Sequence, residues 1–267
     1  MSEPLNIVVC IKQVPDTWSE KRLLPTDKTL DRASVDPVLN ELDEYAIEEG
    51  LQLVEAHGGT VTVLSMGPDK TAETLRKALS MGADAAVHLL DDALAGTDAL
   101  GTSYALAQVL ATLDFDLVIL GSESTDARMS VIPAMLAQRL GLPQLTFATK
   151  VVVESTAQGR SLTIHRLAED GYTVVEGTLP AVVSVVEKIN EPRYPSFKGI
   201  MAAKKKPMST LSAAQVGIDP AKVGLAGAYS AVEDFTLRPP REAGTVVTDE
   251  GDGGIKLAEF LIGRKFI

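Results

Sequence analysis

Four short runs, NIVVCIK at 6–12, TVTVLSM at 60–66, AAVHLL at 85–90 and DLVILG at 116–121, are almost uninterrupted in apolar character, and longer segments with helical spacing separate them. Strands buried on both faces read this way, because neither side of the pleat meets water. Parallel neighbours need crossovers of a dozen residues or more, and the patterns at 40–55, 69–81, 97–113 and 129–140 predict helices that provide them. Gly82, directly after KALSM, suits the left-handed position that ends a helix, with Ala83 and Asp84 leading into the third run. The grammar predicts an α/β protein with an open, mostly parallel sheet flanked by helices.

After Pro143 the spacing changes. TKVVVE, SLTIHRL, YTVVEGT and AVVSVVE follow one another closely, with turn signals QGR and EDG between them. The expectation is an added antiparallel meander that extends or covers the sheet. MSTLSAAQVGID at 208–219 predicts a short helix. RPPREAGTVVTDEGDGG at 238–254 is too rich in Pro, Gly and charge to pack, so an extended C-terminal arm is expected there. Helical periodicity returns in GIKLAEFLIGRKFI. The expected organisation is an α/β domain over 1–230, including a loop at 190–201, and an arm with a terminal helix over 231–267.

The stretch 188–206, KINEPRYPSFKGIMAAKKK, follows the last strand-like run. Pro192 and Pro195 fix φ and bias Glu191 and Tyr194 toward extended backbone, so a stiff projecting loop is expected, with Tyr194 and Phe197 near its tip. Two readings stand for the rings: anchors that dock a partner at little entropic cost, or side chains folded back into the core. Two also stand for Lys204, Lys205 and Lys206: steering an acidic partner surface, or plain solvation.

Composition narrows the function classes. The chain has 267 residues, 45% of them hydrophobic and only 4% aromatic, with a formal charge of −11. That acidity argues against a general nucleic-acid binder. The N-terminus does not read as a signal peptide and no segment reaches the length of a membrane span, so no stable membrane insertion and a cytoplasmic location are expected. Cys10 is the only cysteine, which excludes an internal disulfide and any zinc site built from several thiolates, and its place in IVVCI predicts a buried strand residue. His57, His88 and His165 fall in different elements without metal-ligand spacing, and P-loop, dinucleotide-fingerprint and nucleophile-elbow motifs are missing.

What does look chemical is the segment after the fourth run, GSESTDARMSVIPAMLAQRLGLP. In an open parallel sheet ligands bind beyond the carboxyl ends of the strands, where a helix N-terminus offers free N–H groups to a phosphate. Ser122, Ser124, Thr125 and Ser130 add hydroxyl groups there. Asp126 either caps the following helix or holds the loop through backbone N–H bonds, and a second reading makes the whole cluster a helix cap. The turn at 66–68 meets the same edge and offers an opposite wall for an adenine ring.

These segments together carry a family resemblance. VVCIKQVPDT, LNELDEYAIEEGLQL, SMGPDKTAETLRKALSMGAD, DLVILGSESTD, LPAVVSV and KINEPRYPSFKGIMAAKKK, in this order and spacing, resemble the β subunit of electron-transfer flavoproteins, in particular bacterial members acting in fatty-acid or related oxidation. The resemblance implies an electron-carrier subunit without independent catalysis, paired with an α subunit that holds most of an FAD. It implies a structural AMP at the backbone of Cys10, at Asn40, Glu41, Leu42 and Asp43, at Met66, and along Ser122, Glu123, Ser124, Thr125, Asp126, Ala127, Arg128, Met129, Ser130, Val131, Ile132 and Pro133. Asp16 and Thr17 would approach the partner's flavin. Phe197 would be the anchor toward acyl-CoA or related dehydrogenases, with Pro195, Ile200 and Met201 beside it and Tyr194 supporting the loop. Electrons would leave to a quinone-linked oxidoreductase.

Two departures stand out. Relatives are glycine-rich where this chain has Ala127, Arg128, Met129 and Ser130, and they carry an acidic residue where this chain has Leu167. Two alternatives remain beside the main reading: a bifurcating flavoprotein subunit with FAD in place of AMP, and a free-standing adenine-nucleotide-binding protein of the stress type.

Overall fold

The computed structural model describes residues 4–156, 159–239, 244 and 246–267. The first four runs form β1 (Leu5–Cys10), β4 (Gly59–Met66), β5 (Ala85–Leu89) and β6 (Leu117–Gly121), all parallel. Between them lie a short ribbon of β2 (Gln13–Pro15) and β3 (Pro37–Leu39) and the helices α1 (Glu41–His57), α2 (Thr71–Met81) and α3 (Ala99–Leu110), with α4 (Ile132–Leu140) after β6. One face of the sheet packs Leu5, Ile7, Val9, Val61 and Val63 against Ile47, Leu51, Leu75 and Leu79 of α1 and α2. The other packs Val8, Cys10, Leu64 and Leu120 against α3 and α4. Burial on both faces is the physical reason these runs are continuously apolar.

The full sheet runs β11 (Met208–Leu211), β5, β4, β1, β6, β10 (Ala181–Val185), β7 (Gln144–Thr156), β8 (Gly159–Ala168) and β9 (Gly171–Thr178). From β1 the chain steps outward through β4 and β5, and later returns to β1's other side as β6. The crevice between β1 and β6 is therefore a topological switch point, where carboxyl-end loops diverge and leave room for a ligand.

The later strands depart from expectation in one respect. β7 (Gln144–Thr156), β8 (Gly159–Ala168) and β9 (Gly171–Thr178) form the expected antiparallel meander, its last turn at Glu169 and Asp170. AVVSVVE does not join it: β10 (Ala181–Val185) inserts between β6 and β7, parallel to both. Its five residues are all buried, which a meander strand with one wet face would not allow.

MSTLSAAQVGID is another correction. Met208–Leu211 forms β11, parallel to β5 at the sheet edge, and only Ala214–Val216 makes a short 3₁₀ turn. Four residues suffice for an edge strand because β5 supplies the ladder. Helix starts also move inward: α4 begins at Ile132 rather than 129, since Arg128 and Ser130 have φ of 50° and 55°.

The chain divides into a unit spanning 1–233 and a unit spanning 234–267. Part of the arm segment, 240–243 and 245, lies outside the described residues, as does Gln158 of the QGR turn. In the second unit the terminal periodicity forms α6 (Gly253–Gly263). No described helix is long and apolar enough to cross a membrane.

Candidate functional site

The switch point collects the residues singled out after β1, β4 and β6. Cys10 pairs with Leu64 on one side and Leu120 on the other, so the ends of these three strands share one edge of the sheet. Asn40 stands at the start of α1 and ties two loops together. Its Nδ2 donates to the Glu123 carbonyl at 2.9 Å, its Oδ1 accepts from the Thr125 N–H at 3.0 Å, and its own N–H donates to the Lys12 carbonyl.

Asp43 is buried in the first turn of α1, with Oδ2 accepting the Lys12 N–H at 2.7 Å. Burial, partly offset by hydrogen bonds from neighbouring groups including the backbone of Lys12 and Gly121, lifts its carboxyl to about 7. Gly121 is required beside it: a Cβ there would sit 2.6 Å from Asp43 Oδ1. Cys10 is the buried strand residue expected, and burial, with Asp43 adding to the effect, pushes its thiol up, which makes it unreactive. Glu41 and Leu42 occupy the same helix start. Met66 ends β4, and beyond it the Gly67 carbonyl accepts from buried His88 Nε2 at 2.9 Å. His165 stacks on Tyr172 with ring centroids 4.1 Å apart. The described residues contain no cluster of His, Cys, Asp and Glu able to hold a metal.

Asp126 neither caps α4 nor bonds the loop backbone, contrary to both expectations. Its side chain is only 1% exposed and lies between two cations, with Lys12 Nζ at 2.8 Å from Oδ1 and Arg32 Nη2 at 2.7 Å from Oδ2. Burial opposes its ionisation, yet Lys12, Arg32 and a Ser124 hydrogen bond outweigh it and hold the carboxyl at about 2. Lys12 Nζ also reaches Ser124 Oγ at 3.2 Å. Both cations are absent from the residues that the sequence singles out. Lys12 had a faint signal, as a lone cation directly after an apolar strand, whereas Arg32 had none, because its 94-residue separation from Asp126 exists only in three dimensions.

The remainder of the loop has the features of an anion cradle. Ser130 is left-handed and Val131 right-handed, with φ −99° and ψ −22°, a succession that turns neighbouring N–H groups toward one point. No side chain caps the start of α4, so its first N–H groups remain available. Pro133 gives up only an N–H that the helix does not use. Ser130 Oγ bonds Glu123 Oε2 at 3.2 Å, and Arg128 faces the same carboxylate at 3.7 Å. Thr125 is buried and its Oγ1 has no partner among the described residues. A buried orphan hydroxyl and uncapped helix N–H groups on one loop fit a phosphate-bearing group, although the Ala127 and Arg128 N–H groups are already taken by the Ser124 carbonyl. The left-handed φ at Arg128 and Ser130 marks where glycine would be at ease. Ala127 and exposed Met129 complete the turn, and Ser122 is buried at its root, donating its N–H to Val185.

Asp16 and Thr17 lie on a turn after β2, where Asp16 Oδ1 accepts the Trp18 N–H at 2.8 Å. Thr17 Oγ1 is buried and unpartnered among the described residues. Gln13 pins the ribbon to α2 by donating to the Lys70 carbonyl and Thr74 Oγ1.

The segment 190–201 projects, but not entirely as a loop. Glu191 to Ser196 are without helix or strand, and Phe197–Ala203 forms a short helix, α5, capped by Ser196 Oγ on the Gly199 N–H. Nothing after Pro195 forbids a helix, and Ser196 begins one. Phe197 is 80% exposed, with Ile200 and Met201 exposed on the same short helix and Pro195 half-buried beneath. Tyr194 is 95% exposed, so it does not support the loop. The support comes from Asn190, which donates to the Tyr45 carbonyl and Glu49, and from Arg193, which grips Glu48 and Glu55, all on α1.

The lysine run splits. Lys206 donates to the carbonyls of Leu79, Gly82 and Ala83 at 3.1, 2.9 and 2.6 Å, closing the end of α2, while Lys204 and Lys205 are exposed. Leu167 is exposed on β8.

Known proteins are similar to this chain in sequence. The model of the electron transfer flavoprotein domain matches residues 27–216. The electron transfer flavoprotein subunit beta of Mycobacterium tuberculosis is 52% identical over 268 residues, covering 98% of this chain and 99% of that protein. The subunit of the same name from Megasphaera elsdenii is 37% identical over 275 residues, covering 98% and 100%. Protein FixA of Sinorhizobium fredii is 38% identical over 251 residues, covering 92% and 87%.

Proposed function

Because the chain belongs to the electron transfer flavoprotein family, as a β subunit, we propose that it is the non-catalytic half of a heterodimer, a platform that binds one adenine nucleotide and docks an electron-donating dehydrogenase. Its partner would be an α subunit carrying most of the contacts to FAD, and that flavin, when bound, supplies the redox chemistry by accepting electrons from the donor and passing them on. Everything left to this chain is binding and positioning.

The nucleotide reading is AMP at the switch point, with its phosphate on the 125–132 cradle and its base between the ends of β1 and β4. Asp16 and Thr17 would face the partner's flavin. The arm and α6, whose Ile255, Leu257, Phe260 and Ile262 are exposed, would dock on the α subunit. The donor would be an acyl-CoA or related dehydrogenase and the acceptor a quinone-linked oxidoreductase, a role in the cytoplasm within fatty-acid oxidation.

One observation carries the docking reading: Phe197 is 80% exposed on a segment that Arg193 and Asn190 fix to α1. An exposed ring on a pre-ordered support gains affinity because little entropy remains to be lost. The test is donor-dependent reduction of the heterodimer's flavin. Phe197→Ala should lower the rate at limiting donor by about tenfold or more, with thermal stability unchanged. An unchanged reduction rate would sink the assignment.

A further inference from the structure

The Lys12–Asp126–Arg32 cluster has a charge balance that packing alone does not call for. One buried, ionised carboxylate is met by two cations, and the other carboxyl facing Lys12, that of Asp43, is held partly neutral by burial, so a surplus of positive charge remains on this side of the switch-point crevice in a chain whose formal charge is −11. Asp126 follows Thr125 with its orphan hydroxyl and precedes a turn in which the Ala127 and Arg128 N–H groups return to the Ser124 carbonyl, while Ser130 and Val131 lead into the uncapped first N–H groups of α4. The surplus charge and the uncapped donors thus belong to one loop. Arg32 comes from the connection between β2 and β3, and the only ion pair it makes among the described residues is with Asp126.

We propose that Arg32, seconded by Lys12, is a ligand-binding residue for the nucleotide's phosphate, with Asp126 as the positioning residue that aims both cations at the cradle. The proposal rests on the adenine-nucleotide reading above and adds the source of its charge selectivity. A phosphate monoester carries up to two negative charges, and the cradle's N–H groups are neutral donors. The two side chains would supply formal countercharge, with the guanidinium fork suited to two phosphate oxygens at once. The carboxylate remains ionised throughout, so no proton needs to move when the anion arrives. Arg128, which stands in the turn itself, is instead turned toward Glu123 and is not needed for this role.

The experiment compares AMP and adenosine as probes on the nucleotide-stripped heterodimer by titration calorimetry, and measures bound nucleotide per purified heterodimer. Wild-type protein should bind AMP at least about tenfold more tightly than adenosine. Arg32→Ala should weaken AMP by about tenfold or more while changing adenosine affinity by less than about twofold, the size expected for one lost charge-assisted contact. Arg32→Lys should recover part of the loss, and a native unfolding temperature would show that it folds should the alanine variant not. Equal weakening of AMP and adenosine would make Arg32 only a loop anchor and overturn the proposal, as would undiminished AMP affinity in a folded variant. Failure of the wild type to bind either compound would overturn the adenine-nucleotide reading itself, and this proposal with it.

Discussion

Arg193 lays its guanidinium along the Glu48 carboxylate in a two-pronged contact, Nε to Oε2 at 2.7 Å and Nη2 to Oε1 at 2.9 Å, while its own N–H donates to the same carboxylate. A second carboxylate, Glu55 about two turns further along α1, takes Nη1 at 2.6 Å. The projecting segment is thereby held to a rigid helix at the residue before Tyr194. Burial works against Glu48 being charged, but its hydrogen bonds with Arg193 and Gln52 bring its carboxyl below the usual range.

Arg193→Ala should destabilise the protein by about 2–3 kcal/mol, because it leaves Glu48 nearly buried and without its cation. Arg193→Lys should recover only a minor part, since an ammonium cannot reproduce the fork. Urea unfolding measures the first effect, and limited proteolysis within 190–201 reports the loosening of the loop.

Gly199 sets how close α5 sits to α2. A Cβ at this position would stand 2.5 Å from the Ser80 carbonyl oxygen, a backbone atom that cannot swing aside. Gly199→Ala should cost about 1–3 kcal/mol by forcing the two helices apart, and should slow donor-dependent reduction by displacing Phe197. Unchanged unfolding and unchanged reduction would show that α5 has room to move.

Lys206 is a helix cap, and its neighbours are not. Lys206→Met should lower stability by about 1–2 kcal/mol through three carbonyls losing their donor, whereas Lys204→Met and Lys205→Met should stay within about 0.5 kcal/mol of wild type. Chemical denaturation of the three variants side by side distinguishes them.

Stability should respond to pH in two opposite limbs. The folded carboxyl of Asp126, at about 2, lies below its ordinary value of 3.8, so the stability it contributes is complete above 3.8 and is lost as pH falls toward 2, by about 2–3 kcal/mol. Asp43 behaves the other way. With a folded value of about 7, it keeps its proton in the native protein while the unfolded chain releases it near 4, so stability declines as pH rises from 4 to 7. Denaturation across this range should show Asp126→Asn losing the acid limb and Asp43→Asn flattening the decline.

The α/β class and the parallel core were legible because both depend on periodicity, and a strand buried on two faces has no alternative to a continuous apolar run. The shared edge of the candidate residues was legible for the same reason: once β1, β4 and β6 are parallel neighbours, Cys10, Met66 and Ser122 must lie at the carboxyl end of the sheet. The place of β10 was not, since proximity in sequence suggested a meander and only burial on both faces puts AVVSV between β6 and β7.

For the chain at large, sequence determined what local pattern governs: strand character, the proline-stiffened projection before Ser196, the burial of Cys10, and the family that the ordered segments match. Tertiary structure decided which distant charges meet. Arg32 and Lys12 close on Asp126, Arg193 on Glu48, and Lys206 on the end of α2, at separations from 114 down to 94 residues for Asp126, 145 for Glu48 and 123 to 127 for the α2 carbonyls. Ion pairs and caps of this kind have no period along the chain, because what selects them is the removal of water around groups that only the completed fold brings together.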